Sequence, residues 1–221
     1  MSLITVERKI LEKNDEIADL NRQLFRDRKI TTFNLVSSPG SGKTSLIENT
    51  IQHLNHKIKI GVIEGDVQTN LDAERIDALN IPVVQIVTNG SCHLDAMLVR
   101  DAFTKFDNNE LNILFIENVG NLVCPAAYDL GERMKIVIVS TTEGDDKPLK
   151  YPAMFRNSEV LVINKIDLQP YLNCSIPEIR KNALSINPSL EIFETSCTSG
   201  EGIGKWCNFL LEKSNRDEKQ G

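Results

Sequence analysis

Short runs rich in Val, Ile and Leu punctuate this chain at residues 33–36, 58–63, 83–87, 113–116, 136–139 and 160–163. Largely apolar runs of this length, rather than strictly alternating ones, are the pattern of strands buried on both faces of a sheet. Helix-compatible segments, among them residues 43–54, 71–79 and 94–106, fall between the runs. Such alternation predicts an α/β fold in which a mostly parallel sheet carries helices on both faces. Ile192-Phe193 reads as one more strand and residues 204–213 as a closing helix. Ahead of the first strand, Val6, Ile10, Ile17, Leu20 and Leu24 stand near helical spacing among charged residues. That spacing predicts an N-terminal amphipathic helix within residues 1–28, followed by one domain over residues 29–213 and a solvated tail over 214–221.

The loop after the first strand run changes the picture from fold to chemistry. It reads Ser37-Ser38-Pro39-Gly40-Ser41-Gly42-Lys43-Thr44-Ser45 and opens a helix-forming stretch, the strand–loop–helix context of a phosphate loop. Gly40 and Gly42 let backbone N–H groups converge on phosphate oxygens, and the helix N-terminus favours the anion. Lys43 neutralises terminal phosphates and Thr44 offers a hydroxyl to Mg²⁺. Ser37 stands where the usual pattern has Gly.

Asn164-Lys165-Ile166-Asp167 follows another buried run, at the carboxyl end where open α/β sheets bind ligands. A carboxylate there can accept hydrogen bonds from guanine N1–H and its amino group, and adenine would leave it unpaired. Lys165 can lay its methylene stem on the base. With the upstream Ser-Gly-Lys-Thr the expectation is GTP rather than ATP, and Ser196-Cys197 reads as a further base-contacting loop. Candidates for the Mg²⁺ environment are Asp66 and Glu117, each just after a buried run, with Glu64 and Asp72 weaker. The expected catalytic set is Lys43, Thr44, Asp66 and Glu117.

Five cysteines in this chain do not make an even disulfide framework. Cys92-His93 and Cys124 lie on two loops that leave the same edge of a parallel sheet, so two thiolates and one imidazole could meet and suit Zn²⁺ or Ni²⁺. The fourth ligand is not legible. Cys174, Cys197 and Cys207 read as structural thiols, and His53 and His56 as surface residues. The net charge of −6, without a Lys/Arg block, argues against a nucleic-acid or anionic membrane partner. No apolar run approaches the roughly 20 residues that span a bilayer, and the N-terminus lacks the apolar core of a secretory signal, so a cytoplasmic protein is expected.

Taken together, SSPGSGKT, VIEGDVQTNLDAERI, GSCHLDA, ENVGNLVCP, EGDDKPLKYP and NKIDL resemble the HypB family of hydrogenase nickel-incorporation GTPases, in the SIMIBI class of dimerising NTPases. The resemblance covers nearly the whole chain. It implies a GTP-dependent homodimer with an interface metal site built from Cys92, His93 and Cys124 of each subunit. It also implies partnership with the HypA metallochaperone and delivery of nickel to a [NiFe] hydrogenase large subunit. Ser38 and Pro39 occupy the place where a related branch carries an extra lysine, so unassisted hydrolysis should be slow, on the order of 10⁻³ s⁻¹. The rival readings are a urease-type nickel GTPase, a GTP-gated interaction protein with structural zinc, and an ATP-dependent small-molecule kinase.

Overall fold

The structure, a computed structural model, describes residues 6–54, 57–67, 71–106 and 110–218. Seven strands run through the described residues: β1 (Thr31–Ser37), β2 (Ile60–Asp66), β3 (Val83–Val87), β4 (Ile113–Glu117), β5 (Met134–Ser140), β6 (Val160–Asn164) and β7 (Glu191–Glu194). They form one sheet in the order β3-β2-β4-β1-β5-β6-β7, with every neighbouring pair parallel. Every strand therefore ends at the same edge. Register then sets heights along that edge: Glu117 pairs with Leu35 on one side and with Glu64 on the other.

The helices are α1 (Val6–Asp27), α2 (Lys43–Leu54), α3 (Leu71–Asp77), α4 (Ala96–Phe103), α5 (Lys147–Lys150), α6 (Pro152–Arg156), α7 (Ile176–Ile186) and α8 (Ile203–Glu218). One sheet face buries Phe33, Leu35, Val62, Phe115, Ile136 and Val162 under α2, α3 and α8. Trp206 of α8 is fully buried there, and its indole N–H donates to Thr50 Oγ1 of α2 at 2.9 Å. The opposite face carries two separate apolar clusters, one under α1 and α4 and the other under α6 and α7. Between them runs a polar seam in which Asn34 Nδ2 donates to Glu132 Oε1 at 3.0 Å and Asn118 Nδ2 donates to Asn34 Oδ1 at 3.3 Å.

The observed elements correct several expectations. β3 and β7 are only partly buried because they are the sheet's edges, so the Val-Ile run at 83–87 is not a doubly covered strand. β2 starts at Ile60 and continues through Glu64 and Gly65 to Asp66. α4 starts at Ala96 rather than at Leu94, because the Asp95 carboxylate caps it by accepting from Leu98 N while Leu94 is fully buried in the core. α5, α6 and α7 were not foreseen, although α7 carries Ser175 as its cap and Pro177 in its first turn. α8 runs on to Glu218 and buries Ser214, so the solvated tail expected from 214 does not begin there, and residues 219–221 lie outside the described ones.

The N-terminal helix is present, and its docking stripe only partly overlaps the one its apolar spacing suggested, since Leu24 packs against the core and Ile17 is half-buried. Asn14, Ala18, Asn21 and Phe25 are buried, whereas Ile10 and Leu20 are more than half exposed. The face is chosen by hydrogen bonds from the two asparagines to loop backbone as much as by Phe25, which packs edge-on against Phe103 at 5.1 Å between ring centroids.

Candidate functional site

The loop from Ser37 to Thr44 joins β1 to α2, with Gly40 at φ +77° and Gly42 at φ +97°. A side chain at Gly42 would be strained by that φ and would also meet Asn164 Nδ2 at 2.5 Å. From the end of β6, Asn164 Nδ2 donates to Ser41 O at 3.0 Å and Lys165 Nζ to Gly40 O at 2.6 Å, so side chains of the 164–165 loop hold the backbone of the phosphate loop. Lys43 is buried, with Nζ 3.1 Å from Ser37 Oγ. α2 has no acidic residue in its first turn, which leaves its positive N-terminal end uncompensated and fit for an anion.

In front of this loop lies a cavity of about 430 Å³ lined by Pro39, Gly40, Gly42, Lys43, Thr44, Ser45, Glu64, Asp66, Asp72, Arg75, Glu117, Asn118 and Lys165, among others. The cavity thus gathers the predicted phosphate-loop residues from Pro39 to Ser45 except Ser41, together with all four candidate carboxylates. Thr44 Oγ1 donates to Glu117 Oε1 at 2.8 Å. Glu117 Oε2 and Glu64 Oε2 are buried without a hydrogen-bond partner. Two orphaned carboxylate oxygens beside a hydroxyl are the donor set of a hard divalent cation, so the residues present fit Mg²⁺. Asp66 is half-buried and accepts from Val67 N, while Asp72 is drawn to Arg75 at 2.9 Å. Glu64, rated below Asp66 from sequence, is the more buried of the two, since it lies two residues before the strand ends, level with Glu117.

Desolvation dominates the titration of this pair. Burial, reinforced by the neighbouring Glu117 and Asp66 charges, pushes Glu64 up to about 8. Burial pushes Glu117 up to about 7 against the opposing pull of Lys43 and the Thr44 hydroxyl. Both values lie above the ordinary 4.5, so the folded state holds protons that the unfolded chain has released. Stability is complete below pH 4.5 in this respect and is lost as pH rises through about 7 to 8. Thermal melts of nucleotide-free, Mg²⁺-free protein should therefore show a lower Tm at pH 8.5 than at pH 6. Glu64→Gln should flatten that loss, and an identical fall in both proteins contradicts the assignment.

The guanine-reading candidates are close by but differ in how they present themselves. Asp167 lies half-buried in the short helical turn Ile166–Tyr171, which hangs on Thr195 O through Ile166 N at 3.2 Å. The cavity reaches Lys165 but is not lined by Asp167. Ser196 is buried and its Oγ accepts from Ser199 N at 3.0 Å, which fixes the turn. That turn needs glycine, because a Cβ on Gly202 at φ +76° would fall 1.9 Å from Glu194 O. Cys197 Sγ lies 3.6 Å from Asn164 Oδ1, and burial pushes its thiol up to about 11, as befits a structural cysteine.

Sequence reasoning missed two side chains on the phosphate loop. Glu143 Oε1 accepts from Ser41 Oγ at 2.7 Å, and Lys147 Nζ donates to Ser38 Oγ at 3.0 Å. Their four-residue spacing just beyond β5 was the available signal. His53 is exposed as expected, and His56 lies outside the described residues.

Cys92, His93 and Cys124 meet. Their ligand atoms all lie within 4.8 Å of one another. Cys92 Sγ is 2.8 Å from Cys124 Sγ and 3.7 Å from His93 Nδ1. A shared ion with tetrahedral thiolate bonds would set the sulfurs about 3.8 Å apart, so loading it needs about 1 Å of separation. Contact with Cys124 raises the Cys92 thiol, and burial lowers His93, keeping the imidazole neutral and able to ligate. Tyr128 packs against His93 with the ring centroids 3.9 Å apart and the planes tilted by 36°. Two thiols and an imidazole fit Zn²⁺ or Ni²⁺.

This cluster is joined to the cavity through the loop after β4. Asn118, next to Glu117, accepts at Oδ1 from Leu94 N at 3.2 Å, and Asn121 Nδ2 donates to Cys92 O at 3.2 Å. Gly120 lies so close to the phosphate loop that a Cβ there would stand 2.9 Å from the Pro39 ring.

Residues 31–194 match the family described as CobW/HypB/UreG, nucleotide-binding domain. The chain is 49% identical over 208 residues to the hydrogenase maturation factor HypB of Escherichia coli K12, covering 94% of this chain and 72% of that protein. Among solved structures, HypB from Helicobacter pylori in complex with nickel superposes with a TM-score of 0.89 at 37% identity, over 93% of this chain and 96% of that one. The Signal Recognition Particle 54 kDa protein of Aeropyrum pernix, in complex with GDP, has a TM-score of 0.58 at 13% identity over 85% of this chain and 49% of that one, a likeness of fold alone. A parallel sheet, a phosphate loop inside a nucleotide-binding domain and a Cys/His cluster on the same sheet edge agree with that kinship, and the chain belongs to the HypB hydrogenase maturation factors of the CobW/HypB/UreG family.

Proposed function

We propose that the chain is a GTP-hydrolysing metallochaperone whose nucleotide state governs a nickel site at a homodimer interface. The single observation that carries this reading is the loop after β4, where Glu117 faces the cavity, Asn118 and Asn121 bond the Cys92 loop, and Cys124 follows. Lys43 and the loop N–H groups hold the GTP phosphates, with Thr44, Asp66 and Glu117 around Mg²⁺, directly or through water. When bound, Mg²⁺ supplies charge neutralisation of the terminal phosphates. Asp167 reads guanine, Lys165 covers the base, and the 196–197 turn bounds it.

Nickel is the cargo, and Zn²⁺ is a second ion the same donors accept. A relative of this fold is described in complex with nickel, which supports nickel as the cargo here. Three ligands per chain leave coordination positions for the same residues of a second copy, so a homodimer completes the site. HypA and the large subunit of a [NiFe] hydrogenase are the proposed donor and acceptor. No helix among the described residues is long and apolar enough to cross a membrane, which accords with work in the cytoplasm. The urease-type alternative is disfavoured because Ala126 follows Cys124-Pro125 where that family carries histidine.

Two outcomes test the reading. Asp167→Asn should cut the preference for GTP over ATP by about tenfold or more in nucleotide competition, with the fold intact by circular dichroism. Equal competition by ATP and GTP against the unmodified protein would remove the guanine assignment. Cys92→Ala and Cys124→Ala should each lower nickel stoichiometry in equilibrium dialysis, while Cys174→Ser should not. Unchanged stoichiometry and affinity in both would leave a nucleotide-binding protein without cargo.

A further inference from the structure

The two ligand-bearing loops are held together on the side away from the nucleotide by a helix that contributes no ligand. Asn14 and Asn21 of α1 are seven residues, about two turns, apart and so share a face. Both are buried, at 5% and 0% exposed. Asn14 Oδ1 accepts from Ala96 N at 2.9 Å, and its Nδ2 donates to Asp129 O at 2.8 Å. Asn21 Nδ2 donates to Ala96 O at 2.8 Å and to Leu130 O at 3.1 Å. Each amide thus bridges the same two segments. Ala96 lies three residues beyond His93, and Asp129 directly follows Tyr128, whose ring packs against His93.

Three further contacts make the bridge stiff. A Cβ on Gly131 would lie 2.6 Å from Ala18 O and from Asn21 Cβ, so the 129–131 turn sits against α1 with no room between. Arg22 Nη2 pairs with Asp129 Oδ2 at 2.5 Å. Lys135 Nζ donates to Pro125 O and Tyr128 O at 3.2 and 2.9 Å, fixing the stretch just after Cys124. The polar seam closes the circuit: Leu130 N donates to Glu132 Oε2, Asn34 Nδ2 to Glu132 Oε1, Asn118 Nδ2 to Asn34 Oδ1, and Leu94 N to Asn118 Oδ1.

We infer that Asn14 and Asn21 are positioning residues for the metal site, setting the separation of the Cys92-His93 loop from the Cys124-Tyr128 loop. A helix needing only to cover the sheet would bury apolar side chains at these positions, as it does at Phe25, because a buried amide costs desolvation unless each bond is made. Here the bonds go to backbone groups flanking the ligands. Groups bonded directly to a ligating side chain change metal affinity by about 10- to 100-fold when removed. Asn14 and Asn21 act one step further out, through the backbone of Ala96, Asp129 and Leu130, which places their effect at the low end of that range. The inference rests on the metal-site reading above.

The test is titration of the full-length protein with Ni²⁺ and with Co²⁺, followed by thiolate charge-transfer and d–d absorption, alongside GDP affinity and Tm. Asn14→Ala and Asn21→Ala should weaken metal binding about tenfold or more and shift the Co²⁺ bands, with GDP affinity within about twofold of the parent. Phe25→Leu, which loosens α1 without touching either loop, should lower Tm and leave the metal spectrum unchanged. Unchanged metal affinity and band positions in both asparagine variants overturn the inference, as does an equal spectral change in Phe25→Leu. If Asn21→Ala no longer binds GDP, the outcome for Asn14→Ala decides. Failure of the parent protein to bind either ion overturns the metal-site reading itself, so the two failures are distinguishable.

Discussion

Glu117 ends a fully buried strand with one carboxylate oxygen bonded to Thr44 and the other bonded to nothing among the described residues. Burying such a group costs several kcal/mol unless a charge or proton answers it. Burial holds it partly protonated near neutral pH, and a cation beside Thr44 would answer it better. Everything else at the working edge is arranged around that unsatisfied group. β1 delivers the phosphate loop on one side of β4, and β2 delivers Glu64 and Asp66 on the other. The residues directly after Glu117 then run to Cys124 with no helix between them to absorb a displacement.

That short path explains how two chemistries share one edge. The phosphate loop touches the 118–121 loop through Pro39 and Gly120, and that loop bonds the backbone on either side of His93 through Asn118 and Asn121. Sharing an ion requires the two sulfurs to part by roughly 1 Å, so a shift passed from Glu117 along this path bears directly on metal binding. Coupling here requires a chain of hydrogen bonds and close contacts rather than a domain movement. α1 and the polar seam supply the fixed side against which such a shift acts.

Much of this was legible in the chain because buried parallel strands write themselves as short, largely apolar runs. β1, β4, β5 and β6 lie where those runs predicted. The phosphate loop and the Asn164-Lys165 loop were legible because their chemistry demands particular residues at close spacing. The Cys92, His93 and Cys124 juxtaposition followed from a rule about strand ends, since two loops leaving one edge can meet. What stayed hidden depends on partners distant in sequence. Asn14 and Asn21 carry no signal of burial in the sequence; their roles appear only when Ala96, Asp129 and Leu130 are brought against them. Ile10 and Leu20 misled because apolar spacing on a helix cannot say which stripe finds a surface. Glu64 was underrated because register, not sequence, shows it level with Glu117.

The measurement that bears most directly on this account is Ni²⁺ affinity, by competition against a chromophoric chelator, with GDP–Mg²⁺ and with a non-hydrolysable GTP analogue–Mg²⁺, while solution mass is recorded in the same samples. The account predicts that the analogue doubles the mass and changes nickel affinity by about fivefold or more relative to GDP. Equal affinity and equal mass in the two nucleotide states would contradict it.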